Sequence, residues 1–151
     1  MKNNVLIIGS IIYLLLLQVK TSFLAKNNLE IVFFDVGQGD AIFISTPNGG
    51  KILIDGGDSF EADYKISRLI PFYSFYLDLI VLTHPHSDHI KSLCKVMQRC
   101  GVGSVMFNDV NYSSNDFSFF KDVAKQFEVK NAYSGDKFAL DGVEFFILWP
   151  D

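Results

Sequence analysis

Thr83-His84-Pro85-His86-Ser87-Asp88-His89 holds all three histidines of the 151-residue chain. Imidazole nitrogens and carboxylates are the common ligands of zinc and related first-row metals. Before this stretch, Leu79-Ile80-Val81-Leu82-Thr83 is a short run rich in branched apolar residues, which predicts a buried strand. After it, Ile90, Leu93, Cys94 and Met97 recur at helical spacing. The motif therefore belongs on a strand-to-helix turn. His84 and His86 are two apart, so in extended chain they point the same way and pinch one metal. Asp88 and His89 follow at the helix start and are expected to hold a second metal close by. Asp88 is also the candidate to orient the attacking water. Pro85 stiffens the loop, which suits preorganised ligands. A helix-capping role explains Asp88 alone and leaves the histidines unexplained.

The flanking chain supplies strands and turns. Glu30–Val36 and Ala41–Ser45 read as strands joined by the tight turn Gly37-Gln38-Gly39-Asp40. Pro47-Asn48-Gly49-Gly50 carries the Asn-Gly hairpin signal. It leads to a third strand, Lys51–Ile54, which ends at Asp55-Gly56-Gly57. A helix is expected over Ala62–Phe72, with Ile66, Leu69 and Ile70 on one face and Pro71 near its end. Beyond the histidines come a strand at Val102–Phe107, a helix at Asp116–Phe127 and a strand at Val129–Tyr133. Lys137–Leu140 and Val143–Trp149 form a hairpin across Asp141-Gly142. A meander followed by alternating units predicts a layered α/β fold. Trp149 and the phenylalanines are expected in its core. The Gly37–Asp40 turn is either a plain hairpin or a loop whose N–H groups cradle phosphate. Asp55 is either a turn former or a support for nearby ligands.

Composition narrows the classes. Hydrophobic residues make up 49% of the chain, with 15 phenylalanines, which excludes a disordered protein. The net charge is −4. Residues 1–28 carry Lys2, Lys20 and Lys26 and no acid, which leaves −7 for the remainder. Such a domain binds polynucleotides poorly unless metals neutralise its site. Cys94 and Cys100 make no disulfide framework. Six apart on one helix, they lie on different faces and too far apart to bridge. Cys94 falls on the apolar face and is expected buried. A bridge is the alternative if Cys100 lies past the helix end.

Val5 to Leu17 is apolar but for Gly9, Ser10 and Tyr13, with Lys2 before it and Lys20 after. This is the layout of a secretory signal or N-terminal anchor. It is short for a span, which needs about 17–25 residues. Extension to Ala25 admits Lys20 near the end, where lysine snorkels. The expected division is a signal or anchor with its linker over residues 1–28 and a single domain over 29–151. Membrane contact would run through residues 5–25, placing the protein at a bacterial cell envelope, anchored or exported. The alternative is a buried N-terminal helix.

The His-x-His-x-Asp-His stretch resembles the signature of the metallo-β-lactamase superfamily of hydrolases. Phe34-Asp35-Val36-Gly37-Gln38-Gly39-Asp40-Ala41 and Leu53-Ile54-Asp55-Gly56-Gly57 narrow the resemblance. With the histidines they look like the hydrolase domain of ComEC-type competence proteins and their stand-alone relatives. The resemblance covers about Glu30 to Asp151. It implies the αβ/βα sandwich, here its first half and a little more, behind an N-terminal hydrophobic helix. It implies two zinc sites, with manganese as the alternative metal. The substrate would be a DNA phosphodiester, or a small ester, thioester or lactam. Asp55 would support the metal ligands from beneath, and Asp35, Asp40, Gly37 and Gly39 would edge the cleft. Complete members carry a further histidine, a bridging aspartate and a last ligand. No histidine follows His89, and Lys91-Ser92 stand where two glycines often occur. The ligand set is thus incomplete within this chain. A missing second half or a homo-oligomer is expected to supply the rest. The competing expectation is a catalytically incomplete, membrane-tethered remnant.

Overall fold

A computed structural model describes residues 9, 10, 12, 13 and 28–149. Strands β1 (Glu30–Phe33), β2 (Ile42–Ser45) and β3 (Lys51–Ile54) form the expected antiparallel meander. Strands β4 (Tyr76–Leu82), β5 (Gly101–Phe107) and β6 (Glu128–Asn131) extend the same sheet in parallel. Order in space therefore equals order in sequence, β1 to β6. Parallel neighbours need crossovers. These carry the helices α1 (Glu61–Leu69), α2 (Ser87–Arg99) and α3 (Asn115–Ala124). A separate hairpin, β7 (Lys137–Leu140) with β8 (Val143–Phe146), follows.

The two faces of the sheet bury different sets. Leu53, Ile80 and Val105 pack with Ile66, Leu93, Val96 and Phe120 of the helices. Ile44, Ile52, Leu79 and Met106 pack under Phe138, Leu140 and Phe145 of the hairpin. Strand side chains alternate with a period of two, so a one-residue slip would exchange the faces. Each fully buried Leu, Ile or Phe contributes about 1.5–3 kcal/mol relative to exposure.

Several expected boundaries shift. Helix α1 stops at Leu69, because Ile70 is extended ahead of Pro71, and Phe72–Ser74 forms a short 3-10 turn instead. Ile66 and Ile70 are buried as expected, but Leu69 is 48% exposed, since it closes the helix on the outer side. Strand β8 ends at Phe146, which leaves Trp149 75% exposed and outside the core. Strand β1 ends at Phe33, although the Phe34 N–H still donates to the Ala41 carbonyl at 2.8 Å. Helix α3 ends at Ala124, and β6 ends at Asn131, short of Tyr133. Cys94 and Cys100 are both buried free thiols, and no bridge joins them. Burial pushes them up to about 12 and about 11 respectively, so both stay protonated and inert. Most of the expected N-terminal anchor lies outside the described residues. Among the described residues, no helix is long and apolar enough to cross a membrane.

Candidate metal centre

Strands β3 and β4 are parallel neighbours, so their C-terminal ends lie side by side. Asp55 follows β3, and its N–H donates to the Val81 carbonyl at 2.9 Å. Its φ of +57° is rare for a residue with a side chain. That conformation turns the carboxylate under the histidine turn, where Asp55 is 2% exposed. It accepts three hydrogen bonds: from Thr83 N–H at 2.9 Å, Thr83 Oγ1 at 2.5 Å and His89 Nδ1 at 2.9 Å. A carboxylate only accepts, so His89 carries its proton on Nδ1 and leaves the Nε2 lone pair free. The Thr83 hydroxyl spends its one proton on Asp55. At its 2.9 Å contact with His84 Nδ1 it therefore accepts, which frees His84 Nε2 as well. Metal-binding histidines are commonly held this way, through the nitrogen that does not bind the ion.

The turn gathers the donors. Chain from Thr83 to His86 is outside regular structure, and His86 is extended at φ −79°, ψ 149° before α2 begins. The rings of His84 and His89 lie 3.8 Å apart between centroids, and those of His84 and His86 4.9 Å. One ligand atom each from Asp55, His84 and His89 lies within 4.8 Å of the others. Asp88 Oδ1 is 3.9 Å from His89 Nε2. Burial, followed by the neighbouring His89, holds His84 below the usual imidazole range, against an opposing pull from Asp55. The neutral imidazole is the form that binds metal. The donor set fits a zinc-type ion: two free imidazole nitrogens, with a third histidine and a carboxylate on the same turn. Asp55 already holds three donors and serves as their support.

Residues 34–148 match the model of the metallo-beta-lactamase superfamily. The chain belongs to that superfamily. Its fold is similar to that of the Rm3 metallo-beta-lactamase, at 18% identity and TM-score 0.55 over 79% of this chain and 48% of that one. A HARLDQ-motif mutant of a metallo-beta-lactamase from Cronobacter sakazakii gives 22% and 0.52, over 80% and 50%. The SMB-1 enzyme in complex with mercaptoacetic acid gives 20% and 0.52, over 78% and 48%. At such identities the likeness is one of fold. The chain spans about half the length of these structures. No curated protein compared with it matches. The superfamily is metal-dependent, and the Asp55, His84 and His89 group is a partial metal site within it.

Two glycine turns press this superfamily motif into shape. A Cβ on Gly39 would overlap the Asp88 carbonyl oxygen, and Gly39 sits at φ +82°. Gly56 N–H donates to the His89 carbonyl at 2.8 Å, and Gly57 N–H to the Asp40 carbonyl at 2.9 Å. The Gly37–Asp40 turn thus rests on the first turn of α2. Gly37, at φ +80°, has open space where a Cβ would go. Asp35 accepts from Gly37 N–H at 3.4 Å, and its carbonyl accepts from Lys65 Nζ at 2.6 Å. Asp35 and Asp40 are exposed, and among the described residues no hydrogen bond joins their carboxylates to the histidines. Lys91 pairs with Asp58, and Ser92 donates to the Ser59 carbonyl at 2.6 Å, so both tie α2 to the Asp55–Ser59 turn.

Gly39→Ala is expected to destabilise the fold by about 3 kcal/mol, from left-handed strain and overlap with Asp88 together. Gly37→Ala keeps only the strain and is expected to cost about 1 kcal/mol. Urea unfolding of the two variants separates the terms. Equal midpoints would mean that Gly39 and Asp88 do not meet.

One site residue has no signal in the sequence. Tyr112 lies in the connection after β5, and its ring is 5.5 Å from that of His86. Only the parallel pairing of β4 and β5 brings their trailing connections together. On the hairpin face an apolar cleft of about 330 Å³ reaches Thr83 and Asn108 and is lined by Ile54, Met106, Phe145 and Trp149.

Proposed function

We propose that this domain serves metal-dependent hydrolysis and that its substrate is a DNA phosphodiester, as in the ComEC-type domains its motifs resemble. The observation that carries the reading is the pair of imidazoles, His84 and His89, each tied through Nδ1 and free at Nε2. His84 and His86 would hold a first ion, and Asp88 and His89 a second. Bound zinc or manganese would supply Lewis acidity and an acidified water. Asp88 would accept a hydrogen bond from that water and orient it. Asp55 and Thr83 would keep both imidazoles in the binding tautomer throughout. The ComEC-like reading also draws on the Gly37–Asp40 turn, which sits directly against Asp88.

A second reading is a small ester, thioester or lactam. The apolar cleft beside Thr83 and the acidic charge of the domain favour it. Ligands beyond this turn would come from a second-half polypeptide or a second copy. Alone with metal, the 151 residues are therefore expected to hydrolyse DNA, chromogenic lactams and thioesters no faster than the His86→Ala control. Adding the second half of a complete relative is expected to produce metal-dependent DNA cleavage that His86→Ala abolishes. Cleavage of thioesters or lactams without DNA would favour the second reading. A metal-loaded mixture that cleaves none of them would leave a non-catalytic partner protein.

A further inference from the structure

The three imidazoles of the turn are held in different ways. Asp55 holds His89, and Thr83 holds His84, each through a hydrogen bond to Nδ1. The His86 ring makes no hydrogen bond with any described residue. It is also exposed. An imidazole free to rotate must give up that freedom when it binds an ion, which weakens binding. Two ring contacts restrict it instead. His84 meets it edge-on at 4.9 Å and 80°, and Tyr112 leans on it at 5.5 Å and 52°.

Tyr112 is itself braced from the core. Its ring lies 6.4 Å from that of Phe117, which is 1% exposed. Phe117 in turn stacks on Phe120 and meets Phe107 edge-on. Ser114 caps α3 by accepting from the Phe117 N–H at 3.1 Å, which fixes where that ring begins. A line of aromatic rings thus runs from the centre of the helical layer to the one histidine without a hydrogen bond. Aromatic pairs at such tilted geometries contribute beyond the area they bury. The Tyr112 hydroxyl has no hydrogen-bond partner among the described residues, so the ring makes the contact.

We propose that Tyr112 is a positioning residue for His86, its ring setting the orientation that Asp55 and Thr83 set for the other two histidines. The proposal rests on the metal-binding reading above and adds an element to it, the β5–α3 connection. Two measurements on the full chain test it. In metal-free protein, Tyr112→Ala is expected to shift and broaden the His86 ring resonances while those of His84 and His89 stay in place. With zinc, Tyr112→Ala is expected to weaken binding about tenfold, and Tyr112→Phe to hold it within about twofold, as an outer support without its hydroxyl should. The cobalt-substituted spectrum is expected to change in the alanine variant alone. Unmoved His86 resonances in Tyr112→Ala would overturn the proposal, with or without metal uptake. A phenylalanine variant as weak as alanine would overturn it too, by assigning the role to the hydroxyl. Absence of zinc uptake by the unsubstituted chain would instead sink the metal reading, and the resonance test would still decide for Tyr112.

Discussion

His84→Ala combined with His86→Ala is expected to abolish uptake of zinc and manganese by protein that has been stripped and reloaded. The pair removes two of three imidazoles and both donors assigned to the first ion. What remains, Asp88 with His89, offers two protein ligands where a zinc site uses three or four. Loss of one supporting partner alone costs 10–100-fold in affinity, so loss of two direct ligands should cost at least about a thousandfold. The fold should survive. Both side chains are exposed, and surface substitutions usually stay within about 0.5 kcal/mol. An unchanged urea midpoint with metal analysis at background is the expected pair of readings. A folded double variant that still carries one metal per chain would remove these histidines from the site.

Asp55→Ala is expected to cost the most stability of any change at the site. It leaves the Thr83 N–H, the Thr83 hydroxyl and the His89 Nδ1–H without their acceptor, around a residue only 2% exposed. A buried donor left unpaired costs about 1–3 kcal/mol, a penalty that falls in full on His89 and in part on the part-buried Thr83 bonds, so with the added backbone strain a total of about 3 kcal/mol or more follows. Alanine is also strained at φ +57°. Asp55→Asn separates support of the fold from control of the tautomer. Asparagine tolerates the left-handed conformation and fills the same volume, so most stability should return. Its amide nitrogen must face either the Thr83 N–H, which then loses its acceptor, or the Thr83 hydroxyl and His89 Nδ1 together, both of which must then accept. Zinc affinity should then fall at least about tenfold while the urea midpoint recovers. An asparagine variant that has lost the His89 Nδ1 proton and still binds zinc as tightly as the unsubstituted chain would show that the tautomer set by Asp55 does not matter for binding.

Some of this was legible in the residues and some was not. The strand, turn and helix around the histidines followed from branched residues before them and helical spacing after. The unbroken apolar run at Leu79-Ile80-Val81-Leu82 marked a buried strand, and both faces of the sheet are covered there. Leu69 matched the helical face and still points outward, because the helix stops there and the chain turns extended at Ile70 ahead of Pro71. Trp149 is exposed because β8 stops three residues earlier, a limit that composition does not encode. At the site, the spacing placed the histidines on one turn, while the tautomers came from Thr83 and Asp55, whose partnership exists only once β3 and β4 pair. The close approach of Gly39 to the Asp88 carbonyl and the leaning of Tyr112 on His86 are likewise products of packing.

The order of strands in the sheet bears on how the protein is made. Because each strand pairs with the one just synthesised, the sheet needs no long loop closure before it can grow, and short closures lose the least chain entropy. The longest tie within the histidine turn, from Asp55 to His89, spans 34 residues. Its parts all lie between β3 and the first turn of α2. A chain leaving the ribosome has therefore laid down every imidazole and the carboxylate beneath them before β5 appears. Tyr112 arrives later, with α3, so the nascent chain would display His86 for a time without its aromatic brace. Metal captured in that interval would meet two fixed histidines and one mobile one, and the last ring to fold would close the grip.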